Sequence, residues 1–286
     1  MNKKWIDGKT IVITGASSGI GRELARLFLV KHNAKVIGIG RSESKMLDFK
    51  SSLGEFAENF QYRLFDVGVE KNWQSFVEDM KDSKIDILIN NAGILPSFAS
   101  FKKYVENCSE GDNADIERVM QINFMSVVYG VKYLTPILEK SLSPAIVNIA
   151  SSAGLCALPG IAMYSASKGA VKNFTESIML ERNYYVGLVC PGFTKTDIFR
   201  NQKHSSKSKL IDMISTSLDK MSKKIYKGIL RKKKRMVFGL DARAMDSLYR
   251  HFPKGSLKMF TSVLRKANIE LFSDVFDVKN NTIGEK

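Results

Sequence analysis

The chain has 286 residues, enough for one large α/β domain with a full core. Its net charge is +15, yet no recognised nucleic-acid module accompanies the basic residues, and no run of eighteen apolar residues offers a membrane span. Three cysteines, at 108, 156 and 190, are odd in number and lack metal-like spacing, which argues against a disulfide framework.

The β-branched run Thr10–Thr14 predicts a first strand, and the apolar spacing of Leu24, Leu27, Phe28 and Val30 predicts a helix over Glu23–His32. Between them lies the turn Gly15-x3-Gly19-x-Gly21, a variant of the usual glycine-rich fingerprint. Small residues there let backbone N–H groups approach a pyrophosphate at the helix N-terminus, so the strand–turn–helix context points to a dinucleotide. Further strands are predicted at Lys35–Gly40, Gln61–Phe65, Ile85–Ile89, Ala145–Ala150, Tyr185–Cys190 and Arg235–Gly239. Helices are predicted over Ala114–Lys140, Ala162–Glu181 and Ser217–Leu230. Alternating strands and helices, with no internal repeat or Pro/Ser-rich linker, predict a doubly wound parallel sheet. The expected division is a Rossmann-like unit over residues 1–240 and a basic, helical carboxyl-terminal extension over 241–286.

Tyr164 and Lys168 stand four apart in the Ala162–Glu181 segment and so share a helix face. A phenol with a pKa near 10 is a poor acid–base catalyst at neutral pH. A lysine beside it stabilises the phenolate and draws the pKa down toward the working range. The pair alone is weak evidence, because the spacing recurs by chance.

Together with the Gly15/Gly19/Gly21 turn, several other motifs stand in order: Asp66, Asn90-Asn91-Ala92-Gly93, Asn123, Ser151, Tyr164/Lys168 and Pro191-Gly192-x3-Thr196. Over roughly Gly8–Thr196 the chain thereby resembles the classical short-chain dehydrogenase/reductase family, in particular lipid- and steroid-type NADP-dependent members. The resemblance implies an oxidoreductase interconverting a ketone and a secondary alcohol, with Asn123, Ser151, Tyr164 and Lys168 as its catalytic residues. Ser151 is thirteen residues before Tyr164 and three before Gly154, as the family requires; Ser152 is one step off that register. In relatives the asparagine at the Asn123 position bends its helix and holds a water that links the lysine to solvent.

For the cofactor, the resemblance implies contacts from Gly15, Ser17, Ser18, Gly19, Ile20, Gly21, Asp66, Val67, Asn90, Ala92, Gly93, Pro191, Gly192, Thr194 and Thr196, besides Tyr164 and Lys168. At the end of the second strand an NAD enzyme normally places a carboxylate for the ribose hydroxyls. This chain has Gly40 and then Arg41, whose guanidinium suits a 2′-phosphate, and Ser42 adds a hydroxyl. NADP(H) is therefore expected over NAD(H). His32, His204 and His251 are scattered, and no metal is expected.

Two features bear on substrate and partners. The aromatic stretch Ser97–Gly111, with Phe98, Phe101 and Tyr104, is either a roof over the pocket or a surface insertion, and the Lys/Ser-rich segment Ile198–Leu218 falls where the family keeps its substrate lid. Arg200–Lys286 holds 21 Lys/Arg against 8 Asp/Glu, so +13 of the net charge lies there. One cluster, Arg231-Lys232-Lys233-Lys234-Arg235, precedes the last strand. Beyond it, Met245, Leu248, Tyr249, Phe252, Leu257, Phe260, Val263 and Leu264 alternate with Arg243, Arg250, Lys254, Lys258, Arg265 and Lys266. Such faces suit the protein's own core, a dimer partner, or an anionic bilayer. The expectation is a cytoplasmic homo-oligomer, with peripheral membrane contact as one role of the tail, a hydrophobic steroid, acyl or lipid-like substrate tied to lipid metabolism, and no nucleic-acid partner. The competing reading is a non-catalytic dinucleotide-binding sensor or scaffold on the same fold; a sensor has no need of the Asn/Ser/Tyr/Lys set.

Overall fold

Residue alternation in the strands explains how the sheet is built. Ile11 and Ile13 enter one apolar cluster with Leu24, Phe28 and Ile225, whereas Val12 between them enters another with Trp73, Leu88 and Leu134. A strand buried on both faces by helices gives this result. In a computed structural model of the chain, in which residues 3–106, 116–195, 215–266 and 272–276 are described, seven parallel strands form one sheet. They are β1 (Thr10–Thr14), β2 (Lys35–Gly40), β3 (Phe60–Leu64), β4 (Ile87–Asn90), β5 (Ala145–Ile149), β6 (Tyr185–Pro191) and β9 (Arg235–Phe238). Their order is β3-β2-β1-β4-β5-β6-β9, and every pairing is parallel. The order reverses between β1 and β4, so the carboxyl ends of these strands diverge and leave a crevice. A two-rung parallel ladder, β7 (Thr194–Lys195) with β8 (Thr216–Ser217), lies outside the sheet and is not foreshadowed by the sequence pattern.

The fold class is the expected doubly wound, Rossmann-like one, in a single domain. Boundaries move where polar groups intervene. The fourth strand begins at Ile87 rather than Ile85 because Asp86 is a staple at the foot of the sheet. Its carboxylate accepts from Lys9 Nζ at 2.9 Å, Thr10 N at 3.0 Å and Ser141 Oγ at 2.5 Å. Burial pushes this carboxyl up, but the hydrogen bonds from Ser141, Thr10 and Lys9 outweigh it and hold the pKa below the usual range.

The larger departure is in the predicted helix Ala114–Lys140. The structure divides it into Ile116–Met120, a π-helical turn Gln121–Met125 and Ser126–Leu138. Such turns insert one residue per turn and occur often at functional sites.

The extension forms helices Leu240–His251 and Pro253–Lys266 and a short turn Ser273–Phe276. Arg235 of β9 donates to both carboxylate oxygens of Asp246, at 2.8 and 2.7 Å, which fixes the first of these helices along the sheet edge. Met245, Tyr249, Leu257, Phe260 and Leu264 pack with Phe98, Leu158 and Ile161. The inner face of the extension thus belongs to the protein's own core, while Phe252, Met259 and Val263 are left exposed. No helix among the described residues is long and apolar enough to cross a membrane.

Candidate active site

The crevice between β1 and β4 opens into a cleft of about 730 Å³. At its floor the glycine-rich turn delivers helix Gly19–His32. Gly15 has φ +68°, a conformation L side chains rarely adopt, and a Cβ added to Gly21 would collide with the Gly15 carbonyl and the Asn91 amide. Gly21 therefore serves close packing behind the cleft wall, whereas Gly15, Ser17, Ser18, Gly19 and Ile20 line the cleft itself. Ser18, the residue before this helix, makes no side-chain cap, and the first turn, which leaves N–H groups without intrahelical partners, begins at the cleft with Gly19 and Ile20.

Asn91 holds the turn. Its Nδ2 donates to the Thr14 carbonyl at 2.9 Å, and its backbone N–H donates to Thr14 Oγ1 at 2.9 Å. Ala92 and Gly93 follow along the cleft. Asn90 does not line it: buried, it donates to Asn148 Oδ1 at 2.9 Å, and Asn148 donates to Thr175 Oγ1 at 3.0 Å. Its side chain thus joins a polar ladder between the sheet and the Tyr164 helix rather than the described cleft lining where the ribose contact was expected.

Arg41, Ser42 and Lys45 form the outer end of the cleft. Ser42 caps helix Glu43–Ser51 by accepting from Lys45 N at 3.4 Å. Arg41 lies 3.8 Å from Asp66, whose carboxylate is also bound by Arg118 and by Gly68 N at 2.9 Å. Burial raises the Asp66 pKa, but the hydrogen bonds of Arg118 and Gly68, with the charges of Arg118 and Arg41, bring it below the ordinary carboxylate range. Asp66 is committed to these partners and stands behind the wall, where Val67 lines the cleft. Lys45 was not singled out by sequence; its place four residues after Arg41, in the first turn of helix Glu43–Ser51, is the signal that identifies it.

The inner end gathers the four candidate catalytic residues. Helix Ala162–Glu181 carries Tyr164 and Lys168 as the spacing requires. Ser151 reaches the Tyr164 hydroxyl by a side-chain hydrogen bond. Its register is set by Gly154, where an added Cβ would come within 2.5 Å of the Lys168 carbonyl, so the turn Ser152–Gly154 lies flat on the helix. Ser152 also borders the cleft but is buried and is not the partner of Tyr164.

Asn123 occupies the π-helical turn, fully buried. Its Oδ1 accepts from Ile94 N at 2.7 Å, and its Nδ2 donates to the Ile94 carbonyl at 2.9 Å and to Ser167 Oγ at 3.1 Å. Through Gly93 it faces Lys168: a Cβ there would lie 3.2 Å from Lys168 Nζ and 3.3 Å from Asn123 Oδ1.

The electrostatics differ in one respect from the i, i+4 reading. Burial pushes the Tyr164 phenol up, and the group that draws it back is Ser151 rather than Lys168. Lys168 Nζ is 5.9 Å from the Tyr164 ring centroid and donates to the Ile149 carbonyl at 3.1 Å. Burial brings the Lys168 ammonium down to about 8, so the lysine remains largely charged at neutral pH.

Pro191, Gly192 and Thr194 line the remaining wall, and Thr194 Oγ1 donates to the Gly192 carbonyl at 2.9 Å. Asp241, a residue sequence reasoning did not single out, pins this loop by accepting from Phe193 N at 2.6 Å. Thr196, Cys108, His204 and most of Ile198–Leu218 lie outside the described residues. Cys156 and Cys190 are buried, and burial raises both thiols, Cys190 to about 12. Of the aromatic stretch, Phe98 is buried on the cleft wall, whereas Phe101 is exposed and stacks on Tyr104.

These residues fit a nicotinamide dinucleotide: N–H groups at a helix start, cations at one end and a Tyr/Ser/Lys/Asn constellation at the other. The comparisons agree. A family model described as short chain dehydrogenase matches residues 9–207. The 3beta-hydroxysteroid dehydrogenase 2 of Eggerthella lenta is 31% identical over 197 residues, covering 67% of this chain and 73% of that relative. A short-chain dehydrogenase from Sphingobium yanoikuyae in complex with NADPH superposes with a TM-score of 0.71 at 25% identity, over 86% of this chain and 95% of that one. A short-chain dehydrogenase/reductase from Burkholderia phymatum in complex with NAD gives 0.74 at 23% identity, over 87% and 95%, which bears on the fold alone. With a matching family model over more than half its length and its motifs converging on one cleft, the chain belongs to the short-chain dehydrogenase/reductase family of oxidoreductases.

Proposed function

We propose that this protein is an NADP(H)-dependent oxidoreductase that interconverts an uncharged, apolar ketone and its secondary alcohol. The observation that carries the reading is the division of one cleft. Arg41 and Lys45 stand at its outer end with no carboxylate among the described lining residues, and Ser151, Tyr164 and Lys168 stand at its inner end, backed by Asn123.

A reduced nicotinamide bound in this cleft supplies hydride to a carbonyl carbon. The Tyr164 hydroxyl gives its proton to the carbonyl oxygen, and Ser151 hydrogen-bonds that oxygen as charge develops on it. Lys168, charged and buried beside Tyr164, stabilises the phenolate left behind. Asn123 fixes the backbone of Ile94 and keeps a polar atom beside Lys168 for relay of the proton. Thr194 and the Pro191-Gly192 backbone orient the nicotinamide, and alcohol oxidation is the reverse sequence. The lining contributes Leu95, Phe98, Leu158, Ile161 and Phe193 near Tyr164, which favours an apolar substrate, in keeping with the steroid activity in the name of the Eggerthella relative.

The test is NADPH oxidation followed by nicotinamide absorbance with steroid, fatty-acyl and small ketones. Turnover of an apolar ketone is expected. Dinucleotide binding without turnover of any ketone would support the sensor reading instead.

The outer face of the extension supports a peripheral role at an anionic membrane. Exposed Phe252, Met259 and Val263 stand among exposed Lys254, Lys258, Arg265 and Lys266, while the acids of the first extension helix turn inward to Phe193 and Arg235. Each Lys or Arg near such a surface contributes about 1 kcal/mol, screened by salt. Sedimentation with anionic vesicles at low salt is expected, with release as salt rises and little binding to neutral vesicles. Equal sedimentation with both would retire this role.

A further inference from the structure

The apolar end of the cleft is assembled from segments distant in sequence. Leu95 and Phe98 follow β4, Leu158 and Ile161 precede the Tyr164 helix, and Phe193 follows β6. Among the described residues that line the cleft, Lys168 beside Tyr164 is the one charged side chain near this end, and Arg41 and Lys45 stand at the other. Loop segments of this kind hold their shape only where something packs behind them.

Behind them lies the five-residue piece Phe272–Phe276, which does not line the cleft itself. Phe272 is 1% exposed; its ring meets Phe98 edge-on at 5.0 Å and stacks with Phe276 at 6.1 Å. The Asp274 carbonyl accepts from Ser100 N at 3.3 Å, and its carboxylate accepts from Lys103 Nζ at 3.2 Å. Val275 presses on Gly160 so closely that an added Cβ there would collide with it. The Gly160 carbonyl in turn accepts from Ala99 N at 3.0 Å. The same five residues therefore grip the wall that presents Phe98 and the wall that presents Leu158 and Ile161.

We propose that Phe272–Phe276 is a brace that sets the width of the apolar end and makes the enzyme selective for bulky, uncharged ketones over small ones. This rests on the reading of the cleft as a carbonyl site. Phe272 is a positioning residue: it acts on substrate through Phe98. A ketone large enough to reach Phe98 gains its contact only when the ring is held, whereas a small ketone reacts at Tyr164 without touching it. Contacts of one or two methylenes in such a pocket discriminate by about tenfold or more.

The experiment compares wild type, Phe272→Ala and Phe272→Leu in the full-length chain, with 1-decalone and cyclohexanone as probes. In Phe272→Ala, kcat/KM for 1-decalone should fall about tenfold through KM, with cyclohexanone kinetics and NADPH affinity nearly unchanged, and Phe272→Leu should restore most of the loss. Hydrogen exchange provides a readout without turnover. The Ala99 and Ser100 amides, which donate to Gly160 and Asp274, should exchange faster in Phe272→Ala and near the wild-type rate in Phe272→Leu. Unchanged exchange in Phe272→Ala would overturn the brace. An equal loss for both ketones would overturn its role in selectivity. A wild type that binds NADPH but reduces neither ketone would overturn the catalytic reading and the selectivity with it, while the exchange rates would still decide whether the brace exists.

Discussion

Replacing Tyr164 by Phe is expected to lower kcat for ketone reduction by about a hundred- to ten-thousandfold, the usual contribution of a positioned acid. NADPH affinity should be nearly unchanged. The substitution removes one hydroxyl and keeps the ring, so the packing of Tyr164 among Leu95, Phe98 and Phe193 survives. What disappears is the proposed proton donor and the Ser151 hydroxyl's partner. Because burial holds the phenol protonated, it is suited to donate in the reducing direction, and among the described lining residues no other hydroxyl shares its position beside both Ser151 and Lys168. Steady-state kinetics alongside dinucleotide titration separates the two effects. Wild-type turnover in the variant would remove Tyr164 from proton transfer.

The second large effect concerns the cofactor. Arg41→Asp should lower kcat/KM for NADPH relative to NADH by about ten- to a hundredfold, since one charge-assisted hydrogen bond is worth about 1.5–3 kcal/mol. The new carboxylate would repel a 2′-phosphate and would favour ribose hydroxyls instead. Arg41 is half exposed and Lys45 remains nearby, which places the effect toward the lower part of that range. Stability should survive, because Asp66 retains Arg118 and the Gly68 N–H. A wild type that prefers NADH, or a variant with an unaltered ratio, would overturn the assignment.

The fold was legible because its signals are local. Alternating apolar strands and periodic helices announce a parallel sheet, and helix Ala162–Glu181 has the bounds its pattern predicts. The shared helix face of Tyr164 and Lys168 was legible from their i, i+4 spacing, whereas Ser151 was picked out by the family register, whose turn packs on that helix at Gly154. Less legible were roles decided across the fold. Asn90 and Asn91 look equivalent in sequence, but the alternation of β4 turns the first into the Asn148 ladder and leaves the second at the cleft. Asp66 is expected as an adenine contact, but its pairing with Arg118, 52 residues later, is not foreshadowed by any motif. Asp241 gave no motif because its partner is a backbone N–H 48 residues away. The tail's apolar and basic residues predict an amphipathic face, but only packing shows which members meet Phe98 and which remain outside.

The clamp made by Asn123 also bears on the order in which the protein folds. Its hydrogen bonds reach residues 29 and 44 positions away, and the bond from Lys168 to Ile149 spans 19. Closing such distances costs chain entropy before any contact returns it, and parallel sheets delay that return further. No single segment can assemble these contacts alone. Helices can form early from local sequence, but the proposed proton path needs β4, β5 and the Tyr164 helix docked together, so it requires the long-range contacts of the fold to be in place.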